Sequence, residues 1–448
     1  MEQKTESYQR QRAAYSRQRG VFLVVGSIAL LLIGVINAWA IFSDPICADT
    51  GWDSQYMTNT FMISIIGMCV GCLLSSVVQT KCKGEPRVPV VLGAVFMCVG
   101  MIATALNSSM GPMGVFLFYG ALGGIGEGLA FNAIITTVNL WFPDRVGLAS
   151  GIQMFAYTSA PLFLGIPLDS AMTAFGWRAT FVGLGVAYIV ILLAAAAVSK
   201  MPPYNLGEFF QEPAKAADGI AAGAQAKKNP HYLTDFGVSA TSFTAPQAMK
   251  TKTFWIGLAW FITVAAVSLT LIGESKQDAL SLGVDAGTAT LLAGLVAVGE
   301  GGASVVYGFY LDRFGLMSMV RLISCICVLA CALITAAFVT GQGMVFFAGA
   351  IVLTCAYGGL PIFSATFALK RFGKDYYSMN YAIATTWLSV GSVLNMIINP
   401  ALLAAGGLLF MYGFFTLLAA AGLVLMLVFV RMYRKDMAKL VLADEAQE

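Results

Sequence analysis

Charged side chains and histidine are scarce in this sequence of 448 residues. Only 11% of the residues are Asp, Glu, Lys or Arg, and His231 is the one histidine. Soluble globular domains carry roughly 25% charged residues, so an ordinary soluble protein is excluded. The sequence also holds no cluster of histidines, no nucleophile motif and no phosphate-binding loop. An enzyme is therefore not expected, and neither a cofactor nor a metal is predicted.

The nine cysteines do not change this expectation. Cys69 and Cys72, and likewise Cys325, Cys327 and Cys331, have spacings that also occur in zinc sites. Both groups lie inside long apolar runs, where small polarisable side chains pack well. Packing is the simpler explanation for them.

Long apolar runs dominate the chain, since 58% of the residues are hydrophobic and 47 are glycine. A helix needs about 20 apolar residues to cross a hydrocarbon core of roughly 30 Å. These runs are about twice as long as barrel strands and show no alternation. The sequence therefore predicts an all-α polytopic membrane protein with twelve transmembrane helices. The runs lie at residues 21–43, 56–78, 88–107, 113–138, 147–170, 177–199, 253–273, 287–311, 317–340, 343–367, 378–400 and 406–431.

Lys and Arg are distributed unevenly between the predicted loops. With the N-terminus inside, the inner segments contain 24 of the 26 basic residues, and only Arg178 and Lys276 lie outside. Basic loops favour the cytoplasmic side, so we expect a multi-pass protein of the cytoplasmic (inner) membrane with both termini cytoplasmic. The net charge of +3 reflects this bias and gives no reason to expect nucleic-acid binding.

A polar segment divides the chain into two halves. Residues 201–251 are rich in Ala, Gly and Lys and form a predicted cytoplasmic linker. It joins an N-terminal six-helix half, 1–200, to a C-terminal six-helix half, 252–448. The first half begins with a short cytoplasmic N-terminal tail, and the second half ends with a cytoplasmic C-terminal tail. The halves look like diverged copies, because one displacement lays Gly128 onto Gly358. Two six-helix halves about a central site are the arrangement of many secondary transporters.

One loop carries a first resemblance to a known family. Residues 308–315, GFYLDRFG, match the G-x-x-x-D-R-x-G loop that the major facilitator superfamily places between spans 8 and 9. The resemblance implies the major facilitator fold, with a gating loop formed by Gly308, Asp312, Arg313 and Gly315. The corresponding loop of the first half, VQTKCKGEPR, keeps the basic residues but lacks the aspartate.

More narrowly, the chain resembles the oxalate/formate antiporter family over essentially all twelve spans. The motifs that carry this resemblance are GVINAW at 34–39, NLWFPDRVGLASGI at 139–152 and GWRATF at 176–181. In the oxalate exchanger of that family, two cationic side chains in spans 8 and 11 bind the doubly charged substrate. The alignment places Ser304 and Leu388 at those positions. Because an anion in a low-dielectric cavity needs such partners, oxalate is not the expected substrate.

The same resemblance implies several substrate-binding positions in other spans. Phe131 and Tyr357 supply aromatic rings, and Tyr157 supplies an aromatic hydroxyl. Asn37 stands where the family has an aromatic residue, and Ser304 stands where it has a cation. Trp387 is a further candidate for the wall of the site. Aromatic side chains in spans also serve for packing, and this alternative applies to each ring.

Two glutamates, Glu127 and Glu300, lie well inside apolar runs. Glu127 precedes Phe131 by four residues and Glu300 precedes Ser304 by four, so each lies one helical turn from an implied binding position. A charge at the bilayer centre costs about 2.5 kcal/mol or more. We therefore expect these carboxyls to carry protons during transport or to attract a cationic substrate. A permanently protonated, purely structural glutamate is the alternative.

The sequence thus predicts a secondary active transporter, either an antiporter or proton-coupled, that moves a small organic solute by alternating access. A carboxylate or an aromatic organic acid is the expected substrate, and a neutral or cationic compound bound by Glu127 and Glu300 is the alternative. A transporter-like solute sensor is a second class, although a sensor need not keep a gating loop. The expected partners are the solute, protons or a counter-substrate, and the lipid bilayer, and the chain is expected to be a monomer.

Overall fold

The chain folds into helices joined by short turns in the computed structural model. The structure describes residues 2–107, 109–204, 206–210, 235, 237–239 and 241–445. Much of the predicted linker, including His231, lies outside these residues. No strand occurs in this described part of the chain, and the all-α prediction is confirmed.

The helices that precede the linker include one 3-10 helix and one π-helix within longer helical stretches. In chain order they are α1 (Glu2–Ile33), the 3-10 helix (Gly34–Ala38), α2 (Trp39–Thr50), α3 (Ser54–Lys81), α4 (Arg87–Leu106), α5 (Pro112–Val115), the π-helix (Phe116–Gly123), α6 (Gly124–Trp141), α7 (Val146–Thr158), α8 (Ala160–Val198) and α9 (Leu206–Phe210).

The helices that follow the linker begin with a short one and end with the longest in the chain. They are α10 (Ala245–Met249), α11 (Lys252–Ser281), α12 (Ala286–Phe314), α13 (Leu316–Thr340), α14 (Gly343–Gly358), α15 (Leu360–Phe372), α16 (Tyr377–Ala384) and α17 (Trp387–Glu445).

Ten continuous helical stretches of the described chain are long and apolar enough to cross a membrane. Two of them, Val146–Val198 with 53 residues and Tyr377–Leu440 with 64, are far longer than one crossing requires. At 1.5 Å per residue they extend about 80 Å and 95 Å, against a core of roughly 30 Å. Each contains a break in helical geometry, at Gly176 in the first and at Gly406 and Gly407 in the second. Each therefore supplies two spans, and the prediction of twelve is confirmed.

The described residues divide into two compact units. The first unit comprises Met1–Tyr157 and Leu168–Leu233, and the second comprises Thr158–Pro167 and Thr234–Glu448. Each unit has one helix that is buried on nearly every side. All residues of α6 except Ile125 and Leu140 are buried, and so are all residues of α15 except one proline. A helix buried all round forms the core of its bundle.

Glycines let α6 lie directly against α3 in the first unit. A Cβ atom added at Gly128 would lie 2.0 Å from the carbonyl oxygen of Met68, and one at Gly124 would lie 2.4 Å from that of Ser64. Small residues permit such close backbone approach between membrane helices. The same contact fixes the position of Glu127, which lies between these two glycines on α6.

Candidate functional site

Glu127, Phe131 and Tyr157 form one group in the first unit, which we call the Glu127 cluster. Glu127 is buried in α6, with 1% of its surface exposed. The hydroxyl of Tyr157, at the end of α7, donates a hydrogen bond of 2.7 Å to Oε1 of Glu127. The ring of Tyr157 also meets the ring of Phe131 edge-on, with 5.0 Å between their centroids. Tyr157 therefore contacts both residues of the predicted helix face.

Glu300 has a different environment in the second unit. It lies in α12 and is half-buried, and its carboxylate makes no hydrogen bond or ion pair with any residue that the structure describes. Its backbone is closely packed, because a Cβ atom added at Gly358 of α14 would lie 2.5 Å from the carbonyl oxygen of Glu300. The backbone of the helix is thus tightly packed here, while the carboxylate has no hydrogen-bond or ion-pair partner in the described part of the chain.

Ser304 connects the same two helices. It is 1% exposed, and its Oγ lies 3.0 Å from the carbonyl oxygen of Glu300 and 2.9 Å from that of Gly358. A serine hydroxyl has one proton to donate, and both acceptors are backbone groups. The side chain therefore ties α12 to α14.

Two aromatic residues complete this group, and with Glu300 and Ser304 they make up what we call the Glu300 cluster. The rings of Tyr357 and Trp387 meet at 81° with 6.1 Å between centroids. Trp387 is 2% exposed and stacks on Phe261 at 5.9 Å. Its Nε1 is buried with no hydrogen-bond partner among the described residues, so it is an unused neutral donor.

The remaining predicted positions lie at interruptions of the helices. Asn37 belongs to the 3-10 helix Gly34–Ala38, and its side chain is exposed. Leu388 is half-buried in the first turn of α17, directly after the turn at Thr385 and Thr386. Neither position supplies a charge.

The predicted gating loop begins in the last turns of α12. The helix ends at Phe314, and Gly315 has a φ of 82°, a left-handed value that favours glycine. Gly308 and Gly315 are buried, Asp312 is half-buried and Arg313 is exposed. Asp312 acts electrostatically on Lys370 in the last turn of α15, which is only 8% exposed. Sequence reasoning did not pair these two residues.

Two ion pairs lie near the same end of α15 and were also missed. Nη2 of Arg371 lies 3.3 Å from Oδ2 of Asp436, and Nη2 of Arg434 lies 2.7 Å from Oδ2 of Asp235. Asp235 belongs to the predicted linker, so this part of the linker is attached to the second unit. Partners so far apart in the sequence leave no local signal.

A second pair of acids was missed at the end of α11. Glu274 and Asp278 are four residues apart, so they share a helix face. The hydroxyl of Tyr412 donates a hydrogen bond to Asp278, and the amide of Asn399 bonds Glu274. The four-residue spacing was the available signal, but it could not identify the partners on α17.

Comparison with known proteins agrees with this architecture. The Major Facilitator Superfamily profile matches residues 23–273, which is more than half of the chain. The protein therefore belongs to the major facilitator superfamily.

Individual relatives and solved structures are consistent with that assignment. The chain is 24% identical over 374 residues to the oxalate:formate antiporter of Oxalobacter formigenes, covering 81% of this chain and 80% of that protein. It is 24% identical to human monocarboxylate transporter 11 over 59% of this chain and 50% of that protein. A solved structure of the proton:xylose symporter XylE bound to 6-bromo-6-deoxy-D-glucose superimposes with a TM-score of 0.67 at 18% identity, covering 93% of this chain and 96% of that one. This last likeness shows the fold.

These findings confirm the expected class of protein. The chain is a multi-pass membrane protein with the major facilitator fold, and it is a transporter of small solutes and not an enzyme.

Proposed function

We propose that this protein is a proton-coupled secondary transporter of a small organic carboxylate, and that Glu127 and Glu300 carry the coupled protons. The observation that carries the proposal is the Glu127 cluster, in which a carboxyl 1% exposed has a tyrosine hydroxyl as its partner and no cation among the described residues. No fixed positive charge holds such a carboxyl in its ionised form. It can therefore take up and release a proton during the transport cycle.

The charge of the two glutamates couples the binding of protons to the binding of an anionic solute. An anion that binds beside either glutamate in its ionised form, in a low-dielectric region, meets a large electrostatic cost. When protonated, the same carboxyls are neutral and can donate hydrogen bonds to a carboxylate. The unused Nε1 of Trp387 is a further neutral donor of this kind. Binding of the anion and binding of protons therefore favour each other.

A singly charged substrate suits these residues better than a dicarboxylate. Ser304 and Leu388 occupy the positions at which the family resemblance implies cations, and the hydroxyl of Ser304 is already bound to backbone carbonyls. The paired rings of Phe131 and Tyr157 favour an acid with a small apolar or aromatic body. The relatives named as carboxylate transporters support this class, and oxalate itself is not proposed.

We also propose an orientation and a mode of action. The bias of Lys and Arg supports both termini on the cytoplasmic side, and we place the protein as a monomer in the cytoplasmic (inner) membrane. In alternating access, the halves 1–200 and 252–448 would be the moving parts, joined by the cytoplasmic linker 201–251. The gating loop from Gly308 to Gly315 would lie on the cytoplasmic side.

Uptake into proteoliposomes tests the proposal. The solutes are radiolabelled formate, lactate, benzoate, oxalate and a primary amine, each measured with and without an inward proton gradient. We expect the gradient to stimulate uptake of a monocarboxylate roughly tenfold, which lies within the usual range of coupling between two binding events. Glu127→Gln and Glu300→Gln should lose this stimulation. The control is Glu6→Gln, because Glu6 is an acid whose side chain is 73% exposed.

Full gradient stimulation in both glutamine variants would overturn proton coupling through these residues. Rapid exchange of oxalate would overturn the substrate class. The two carboxylates also suit a neutral or cationic compound, since no Lys or Arg in the described part of the chain forms a salt bridge with either one. Uptake of the amine alone would favour that alternative, and saturable binding with no uptake would identify a solute sensor.

A further inference from the structure

A cleft of about 500 Å³ lies at one end of the first unit. Pockets that bind small molecules and cofactors usually measure about 300–1,000 Å³, so this space is large enough for a ligand group. Its walls come from α1, from the last residue of α6, and from the end of α8 with the residues that follow it. We call it the α1–α8 cleft.

The α1–α8 cleft lies where apolar helical stretches end. Trp141 is the last residue of one stretch that is long enough to cross a membrane, and Val198 is the last residue of another. The predicted apolar run 21–43 begins at Val21, one helical turn after Arg17. Because a membrane-spanning stretch ends at the membrane surface, the cleft lies at the boundary between hydrocarbon and water. In the orientation proposed above, this is the cytoplasmic boundary.

The charged and apolar side chains of the cleft are separated along the helices. Val21 of α1 and Ala197 of α8 lie in the predicted apolar runs, while Arg17 and Lys200 lie just outside them. All four residues are exposed. At 1.5 Å per residue, the step from Arg17 to Val21 covers about 6 Å. The cleft therefore presents positive charge on the water side and apolar surface on the membrane side, which is the order of phosphate and acyl chain in a phospholipid.

The two cations of the cleft have no acidic partner in the described part of the chain. Neither Arg17 nor Lys200 forms a salt bridge there, and none of the described lining residues is acidic. Arg19 of the same helix differs, since its Nη1 lies 2.8 Å from Oδ1 of Asp144. A cation at Lys200 also offsets the dipole at the end of α8. Arg17 lies within α1, so that explanation does not extend to it.

Trp141 fixes the inner wall of the cleft. It is 2% exposed, and its Nε1 donates a hydrogen bond of 2.8 Å to the carbonyl oxygen of Lys200. Its ring packs against the ring of Phe22 with 4.6 Å between their centroids, and Tyr15 lies 6.5 Å away by the same measure. These contacts hold the backbone at Lys200 beside α1. A site that is already formed loses less free energy to ordering when a ligand binds.

We propose that the α1–α8 cleft binds one anionic phospholipid of the cytoplasmic leaflet, with the phosphate at Arg17 and Lys200 and an acyl chain along Val21 and Ala197. Lys and Arg bind phosphate oxygens through strong charge-assisted hydrogen bonds. Basic pockets between membrane helices on the cytoplasmic side bind anionic headgroups. The proposal rests on the orientation given above and not on the proton-carrying role of Glu127.

Native mass spectrometry of the full chain, released from detergent micelles, tests for the site. The probes are phosphatidylglycerol and phosphatidylcholine with the same acyl chains, and we expect one phosphatidylglycerol to be retained in preference. Arg17→Gln combined with Lys200→Gln should weaken its retention about 25-fold, because each basic residue near an anionic lipid contributes about fivefold. The matched control is Arg12→Gln with Lys81→Gln, since both residues are exposed and neither lines the cleft. Equal losses in the two double variants would overturn the proposal, and so would equal retention of the two lipids.

A second variant fills the cleft without changing its charge. Ala197→Phe places a ring in the space proposed for the acyl chain and should weaken retention of phosphatidylglycerol about tenfold, the scale of overpacking. Leu193→Phe is the control, because Leu193 lies one turn earlier on α8, is 42% exposed and does not line the cleft. Retention that is the same in both variants would contradict the proposed position of the acyl chain and overturn the proposal.

Two further measurements identify the occupant. Inorganic phosphate at the concentration of the lipid should not displace phosphatidylglycerol, because it has no acyl chain for the apolar wall, and full displacement would indicate a site for free phosphate instead. A photoreactive benzophenone residue in place of Val21 should form an adduct with the mass of phosphatidylglycerol. An adduct with residues 211–234 or with a second copy of the chain would overturn the proposal.

These outcomes are independent of the proposed transport function. Retention of a lipid is measured without a proton gradient or a solute. If the cleft variants retain phosphatidylglycerol as well as the unchanged protein does, the lipid site is wrong while proton coupling is unaffected. If Glu127→Gln keeps full gradient stimulation, proton coupling through Glu127 is wrong while the lipid site is unaffected.

Discussion

The hydroxyl of Tyr157 donates a hydrogen bond of 2.7 Å to the carboxyl of Glu127, thirty residues away in the sequence. The bond joins the end of α7 to the buried helix α6. Since Glu127 has a neutral donor beside it, its charge depends on the protons and solutes that reach it. This relationship makes Tyr157 the residue through which the environment of Glu127 is most easily altered.

Tyr157→Phe should therefore impair proton coupling. The variant removes a hydrogen bond to an ionisable group, a contact of about 1.5–3 kcal/mol, and we expect gradient-stimulated uptake to fall about tenfold. In a background that already carries Glu127→Gln, the same change should have no further effect on the gradient response. Tyr56→Phe is the control, because Tyr56 is 45% exposed. Equal losses in both backgrounds would show that Tyr157 acts elsewhere.

Gly358→Ala should destabilise the second unit. The added methyl group would lie 2.5 Å from the carbonyl oxygen of Glu300 and 3.0 Å from the Cβ of Ala303. Overpacking of this kind costs about 1–3 kcal/mol, and we expect that loss in the free energy of unfolding measured in mixed micelles. Gly302→Ala is the control on the facing helix, since its Cβ would meet no atom within 4 Å. Equal stability of the two variants would contradict the close packing.

Asp49 should contribute stability that depends on pH. The indole of Trp177 donates a bond of 2.9 Å to Oδ2 of Asp49, and Nη1 of Arg178 lies 2.5 Å from the same oxygen. These contacts, the Trp177 bond first, lower the pKa of Asp49 below its ordinary value. A lowered pKa means that the contribution is present above the ordinary aspartate pKa of about 3.9 and is lost as the pH falls through the folded-state pKa.

The variant that tests this is Asp49→Asn. It should lower Tm by about 1–2 °C at pH 7, the scale of an exposed ion pair, and the difference should shrink as the pH is lowered below about 3.9. Asp44→Asn, an exposed acid on the same helix, serves as the control. A difference that persists at the acidic pH would show that the effect is not electrostatic.

Asp436→Asn should be the most destabilising of these changes. Arg371 is 4% exposed, its Nε and Nη1 have no partners among the described residues, and Asp436 is its ion-pair partner. Removing one member of a buried pair costs about 3–5 kcal/mol because the other charge is left buried. Thermal unfolding should show a loss of unfolding free energy near the lower end of this range, since the side chain of Asp436 is 31% exposed. Asp375→Asn, at an exposed position, should change little.

Local features of the fold were predictable from the sequence. The gaps between apolar runs at 170–177 and 400–406 contain or adjoin Gly176 and Gly406, where the structure breaks two long helices. Gly315 ends α12 as the loop motif implies. The four-residue spacing of Glu127 and Phe131 places both beside Tyr157. Each of these features depends on residues within a few turns of one another.

Contacts across the sequence were not predictable. The pairing of Asp278 with Tyr412 joins residues 134 positions apart, and Tyr119 and Tyr188 line one cavity from different helices. Lys370 lies three residues beyond the predicted span 343–367. In the structure Lys370 is 8% exposed, and Asp312 interacts with it electrostatically. A single sequence contains no record of which helix faces lie together.

The sequence by itself determined that the chain is helical, that it crosses a membrane twelve times and where along the spans its carboxyls lie. Apolar length, helical period and loop charge decide these properties, and all three act over short distances. Only the tertiary structure decided what each carboxyl faces: a tyrosine hydroxyl at Glu127, no described partner at Glu300, and a buried lysine at Asp312. The reason is that electrostatic strength depends on burial and on neighbours in space, and those neighbours come from helices that are distant in the chain.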